Sequence, residues 1–165
     1  MHNVSLRCAW FLASLACAGL PLGAQQMPMA MHPGTAISLD QVEHPEACEI
    51  CRMKRTMFAQ SRMLVNYLDG SLGTCSISCM SLELRKRPER KIQALRVADY
   101  ADPKTLIDAR TAVWVVGGDL RGVMTAKPKW AFAKTADAEA FISKQGGRIM
   151  TFDQCLDLAS QERTQ

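Results

Sequence analysis

The order of hydrophobic patterns along this chain repeats once, and that repetition limits the fold more than any single motif does. "RMLVNYLD" (62–69) is strand-like, "GSLG" turns, "TCSIS" is short and β-leaning, "CMSLELRKR" (79–87) is helical up to Pro88, and "KIQALRVADY" (91–100) returns as a strand. The second half runs in the same order. "TAVWVVGG" (111–118) is a strand whose Gly117 and Gly118 begin a turn, and "KWAFA" (129–133) is a second strand. "TADAEAFISKQGG" (135–147) is a helix with Thr135 as N-cap and Gly146 past its end, and "RIMTF" (148–152) is a third strand. Two tandem strand–strand–helix–strand units predict an α+β fold in which antiparallel sheets are covered by helices. "DQCLDLAS" (153–160) adds a short closing helix, on which Cys155 stands among Leu156, Leu158 and Ala159 as a small buried hydrophobe. The domain is thus placed at residues 48–165, in halves of about 48–101 and 102–165.

What precedes the domain has a different character. "MHNVSLRCAWFLASLACAGLPLGAQQ" carries one positive residue, Arg7, then an apolar stretch and small residues before "QQ", the layout of a secretory signal over residues 1–24 with cleavage after Ala24. The alternative is a lipid anchor at Cys17 in "SLAC", where Ser14 stands at the position a lipobox fills with Leu. Either route implies export to the periplasm, free or held at the membrane by lipid, and no later stretch approaches the 18 apolar residues of a membrane span. Residues 25–47 have Pro, Gly and small polar residues without either hydrophobic period and are expected to form a flexible arm. Met27, Met29 and Met31 alternate there, on one side of an extended chain, beside His32.

Cysteine arithmetic then points to chemistry. Cys8 and Cys17 fall in the signal, so five of the seven cysteines remain: Cys48, Cys51, Cys75, Cys79 and Cys155. An odd number in an oxidising compartment leaves at least one thiol outside any disulfide framework. "CEICRM" (48–53) puts two thiols three positions apart with the thioether of Met53 following, and soft donors of this kind select soft ions, Cu(I) above all. Cys-x2-Cys followed by Cys-x3-Cys at 75–79 is also near the spacing of a four-thiolate zinc cage, although thioethers, here Met53 and Met80, are poor zinc ligands. A Cys48–Cys51 disulfide, or a cross-link joining the two pairs, remains open, as does a thiol oxidoreductase. Arg52, Lys54 and Arg55 surround Cys51 and are expected to lower the thiol pKa values.

Taken together, "CEICRM", Asp69-Gly70, Asp99-Tyr100, "IDA" (107–109), Gly117-Gly118 and "GVMT" (122–125) leading into "KWAFA" make the chain resemble the NosL family of nitrous oxide reductase accessory proteins, over about residues 44–152. The resemblance implies a periplasmic Cu(I)-binding protein, often lipid-anchored, that supplies copper to nitrous oxide reductase, with a fold similar to that of the organomercurial lyases. It implies Cys48, Cys51 and Met53 as amino-terminal metal residues and Met124 as a contributor from the second half. Many members carry a His two positions after that methionine; here Ala126 stands in its place, and no His follows His44. A nitrogen donor must then come from His32 or His44, or the site is all sulfur with Cys75, Cys79 and Met80 as substitutes. So little histidine also leaves a homodimer sharing one ion among the partner states to test.

Other functions find little support. The net charge of +4 is mild, and the densest basic run, "RKRPER" (85–90), is expected to be a solvated helix end with no nucleic-acid motif beside it. Asp99, Asp102 and Asp108 form no pair for acid–base work, and no nucleophile has a His partner, so an enzyme is not expected. Trp114, Trp130, Tyr67 and Tyr100 are expected to face the core from strands, and Asp69-Gly70 to turn a hairpin.

Overall fold

Residues 45–163 are described by a computed structural model; the expected signal segment with Cys17, and the expected Met-rich arm up to His44 with His32, lie outside the described residues. β1 (Met63–Tyr67) and β2 (Gly70–Thr74) form a hairpin, followed by α1 (Ile77–Lys86), β3 (Ile92–Ala98) and β4 (Leu106–Asp108). These strands make an antiparallel sheet in the order β2-β1-β3-β4. β5 (Val113–Val116), β6 (Lys129–Phe132), α2 (Thr135–Gln145), β7 (Arg148–Met150) and α3 (Phe152–Glu162) follow, with the second sheet ordered β6-β5-β7, again antiparallel. The duplicated α+β pattern is therefore present, with β4 as an addition to the first sheet that its short, half-buried "LID" sequence does not announce. No helix among the described residues is long and apolar enough to cross a membrane.

"GSLG" is not the hairpin turn. The register runs from Met63↔Thr74 to Tyr67↔Gly70, so Leu68 and Asp69 make the turn and "GSLGT" is the second strand. Gly73 serves close approach rather than turning: a Cβ there would stand 2.6 Å from the Arg55 guanidinium and 2.6 Å from Pro45 Cδ. Likewise Lys134, not Thr135, is the N-cap of α2, while Gly146 closes that helix at φ 74° as its left-handed geometry requires.

β5 and β6 of the second sheet are buried on both faces, which explains the unbroken apolar run "VWVV". Trp114 and Val116 join Ala131 in a core shared with Met63, Val65, Leu95, α1 and α3. Val115, Trp130 and Phe132 point the other way, into a core with Ala138 and Phe141 of α2 and with Cys48, Cys75 and Cys79. Asp99 and Tyr100 join the two sheets: the Tyr100 N–H donates to Ala131 O at 2.8 Å, and the Asp99 carboxylate accepts from the N–H of Ala101 and of Ala133. The Tyr100 ring sits about 5 Å from those of Trp130, Phe132 and Phe141. It packs as expected, but from the turn after β3 and not from a strand.

Gly73→Ala is expected to lower stability by about 1–3 kcal/mol in urea or thermal unfolding, because neither the Pro45 ring nor the tethered Arg55 head can yield cheaply.

Candidate metal centre

The loop that carries Cys48 and Cys51 is closed by its own backbone. Cys48 N–H donates to Met53 O and Arg52 N–H to Cys48 O, each at 2.8 Å, and Arg52 takes a left-handed φ of 65° to allow it. Arg55 then ties the loop to the hairpin. Its guanidinium is buried and donates to Pro45 O at 2.7 Å, to Met63 O at 3.0 Å and, through Nε, to Thr74 O at 3.2 Å. Glu49 N–H adds a bond to Gly73 O. Cys75 follows β2 directly, and Cys79 is the third residue of α1, so the second pair straddles a strand end and a helix start.

These connections bring all four sulfurs together. Cys48, Cys51, Cys75 and Cys79 place their Sγ atoms within 4.8 Å of one another, with Cys51 to Cys75 at 3.5 Å and Cys75 to Cys79 at 3.7 Å. All are free thiols. Cys48, Cys75 and Cys79 are inaccessible to solvent, whereas Cys51 is half-buried and opens the cluster to the surface. Met53 is half-buried and packs against the same core. Met124 is 37% exposed, in the loop between β5 and β6, with φ 55°; its neighbour Val123 is buried in the core that holds the cysteines.

Met80 is not brought to the sulfurs. One position along α1 from Cys79 it turns about 100°, and it lies fully buried with Met63, Val65 and Leu95 in the other core. Cys155 is also in that core, as a buried hydrophobe.

The electrostatics come from the thiols themselves. Bonds from Cys75 and Cys79 hold the Cys48 thiol well below its ordinary range. The same bond to Cys48 pushes Cys75 up, with its bond to Cys79 and burial adding, and Cys79 is pushed up to about 12, chiefly by Cys48. One thiolate is thus favoured, clasped by neutral neighbours, and the group titrates as a unit. Of the cations expected to lower the thiol pKa values, Arg55 donates to three backbone carbonyls and Lys54 lies 4.0 Å from Glu46 at the surface.

A fifth side chain, not apparent from the sequence, touches the cluster. Arg163, at the end of α3, donates from a terminal guanidinium nitrogen to Cys79 Sγ at 3.4 Å. The two residues are 84 positions apart, and no local pattern connects them.

The donor set is chemically coherent. It is thiol-rich, oxygen-free and, in the described residues, without histidine, which suits a soft or borderline ion. Comparison with known proteins agrees with it. The sequence model of the NosL family matches residues 39–158. The crystal structure of the copper chaperone NosL from Shewanella denitrificans is similar at 26% identity, covering 74% of this chain and 96% of that chain, with a TM-score of 0.53. No curated protein matches the chain.

Brief alkylation of the native, reduced, metal-free chain followed by peptide mapping is expected to label Cys51 before Cys48, Cys75, Cys79 and Cys155, since Cys51 alone among the described thiols is accessible.

Proposed function

The chain belongs to the NosL family, and on that premise we propose that it is a periplasmic copper chaperone that binds Cu(I) through Cys48, Cys51, Cys75 and Cys79, with Met53 beside them. The observation that carries this reading is the convergence of four free thiols within 4.8 Å, three sealed from solvent and one at the surface. Support for copper as the cargo comes from the similar structure of the copper chaperone NosL and from the preference of thiolate and thioether donors for the monovalent ion. Met124, exposed on a neighbouring loop, is the candidate rim donor.

In this reading the work done is exchange, not catalysis. Cu(I) needs fewer donors than the cluster offers, so the ion rests on the buried thiolates while Cys51 faces outward. An incoming sulfur or nitrogen ligand attacks from that side, and the ion passes through a shared intermediate without being released to water. The recipient is a copper enzyme, nitrous oxide reductase by the family's role. Export by the amino-terminal segment, free after cleavage at Ala24 or held by lipid at Cys17, and a homodimer sharing one ion complete the proposal.

A second reading has a specific observation behind it. A tetrahedral ion with bonds of about 2.3 Å to sulfur separates its donors by about 3.8 Å, and two of the distances here are 3.5 and 3.7 Å. Four thiolates at such spacing also suit a structural zinc ion. The two readings part on what the cysteines do for folding: loss of a structural zinc ligand unfolds the domain, whereas loss of a cargo ligand leaves it folded.

Competition of the reduced chain with a Cu(I) chelator is expected to give one tightly held ion. Cys48→Ser and Cys51→Ser should weaken binding by roughly 100-fold or more, Met53→Leu and Met124→Leu by about tenfold or less, each leaving the melting temperature of the metal-free protein near that of wild type. Exclusive retention of zinc, with unfolding on its removal, would establish the second reading instead.

Binding is also expected to weaken as pH falls. Cys75 and Cys79 are held protonated above the ordinary thiol range, so each that becomes a ligand must expel a proton, and affinity drops about tenfold per pH unit for each proton displaced. The slope of log affinity against pH between neutral and mildly acid conditions measures that number directly; a flat profile would show that the ion uses only thiols already ionised.

A further inference from the structure

Arg163 is placed in a way that ordinary packing does not explain. Its guanidinium donates to Cys79 Sγ at 3.4 Å, and its Nε is buried without a partner among the described residues. A neutral thiol is a weak acceptor, and an orphaned buried donor is a cost that folded proteins normally avoid. An arginine left half-satisfied against a sulfur makes sense if that sulfur, in the working state, is an anion.

The charge of the loaded site gives the reason. A monovalent ion on two thiolates leaves a net charge of minus one, and on three thiolates minus two. Cys48, Cys75 and Cys79 are fully inaccessible, so water cannot solvate that charge, and an uncompensated buried charge is strongly unfavourable. Resting on the copper reading above, we propose that Arg163 is the counter-ion of the thiolate site: a positioning residue that holds its guanidinium on Cys79 and stabilises the anionic, copper-loaded cluster.

The fold fixes that guanidinium in place. α3 packs along α1, the helix that carries Cys79. Glu162, the residue before Arg163, is anchored on the Met124 loop. Its carboxylate accepts from Lys129 Nζ at 3.1 Å on both oxygens, from the Thr125 hydroxyl and from Ala126 N–H. Lys129 Nζ is itself sealed from solvent and also donates to Lys127 O and to Thr125. The last turn of α3 is therefore pinned by an ion pair, with the negative partner consumed by Lys129 and the positive Arg163 free to serve the cluster.

The test is Cu(I) competition on the reduced full-length chain, comparing wild type with Arg163→Gln, Arg163→Lys and Cys51→Ser, together with the thiolate-to-copper charge-transfer absorption and the melting temperature of each metal-free form. Arg163→Gln is expected to weaken Cu(I) binding about tenfold, the worth of one charge-assisted hydrogen bond, to speed loss of the ion to chelator and to shift the absorption. Arg163→Lys should recover most of the affinity, and the metal-free melting temperatures should stay within about 3 °C of wild type. Unchanged affinity and absorption in Arg163→Gln, with binding still lost in Cys51→Ser, would overturn the role of Arg163 and leave the copper reading intact. Equal weakening in Gln and Lys variants with lowered metal-free stability would show a structural residue and overturn it too. Failure of the wild type to outcompete the chelator would overturn both.

Discussion

The site depends on one buried guanidinium. Moving the Arg55 head group out of water costs several kcal/mol unless its donors are filled, and three segments fill them: Pro45 before the cysteine loop, Met63 at the start of β1 and Thr74 at the end of β2. The planar fork of arginine meets three carbonyls in a fixed geometry that a lysine could not match. That geometry is why β2 must carry a glycine at 73, where any side chain would occupy the space of the Arg55 head. With the loop and the hairpin end locked to each other, Cys48 and Cys51 from one and Cys75 from the other are held near their final separations before any ion arrives. Much of the ordering entropy is thus met by folding and not by binding.

Where the sulfurs sit follows from the second sheet. Its strands β5 and β6, buried on both faces, divide the interior into two cores, and α1 contributes to both because consecutive helical residues diverge by about 100°. Met80 takes the first core and Cys79 the second. The apolar neighbours of the cysteines, Val115, Trp130 and Phe132 among them, keep water from three of the four sulfurs. Such an enclosure disfavours ions that prefer oxygen ligands and strengthens every charge interaction inside it, which is why a single arginine at the rim of the cluster matters.

The sequence displayed the parts of this arrangement that are local. The β-branched and aromatic residues of "VWVV" and "KWAF" mark strands, Gly146 and Pro88 mark helix ends, and two close cysteine pairs mark a sulfur site. The parts that were hidden depend on contacts distant in the chain. "GSLG" looks like a turn because glycine is ambiguous between turning and admitting a neighbour, and only the position of Arg55 decides. Arg55 itself looks like a charge that tunes the neighbouring thiols until its carbonyl partners are seen. Met80, following Cys79 directly, mimics a ligand in one dimension and faces the wrong core in three. Arg163 meets Cys79 only because α3 returns across α1, and β4 is too short to carry a period of its own.

A chaperone must hold its ion firmly and still release it, and the strained backbone bears on how both are met. Among the described residues, the left-handed non-glycine positions are Arg52 and Met124. Each costs about 1–2 kcal/mol relative to ordinary backbone, and each adjoins a proposed donor: Arg52 follows Cys51, and Met124 is the rim thioether. Neither is in a helix or strand, whereas Cys79 is within α1 and Cys75 is in the tight connection between β2 and α1. The donors therefore divide into three buried thiols, Cys48, Cys75 and Cys79, and an outer pair, Cys51 and Met124, at or beside the left-handed positions. Under the copper reading, retention belongs to the inner thiolates with Arg163 behind them, and hand-over belongs to Cys51 and Met124, the donors open to solvent. A structural zinc ion would need all four thiolates equally and would leave that strain, and the exposure of Cys51, without a use.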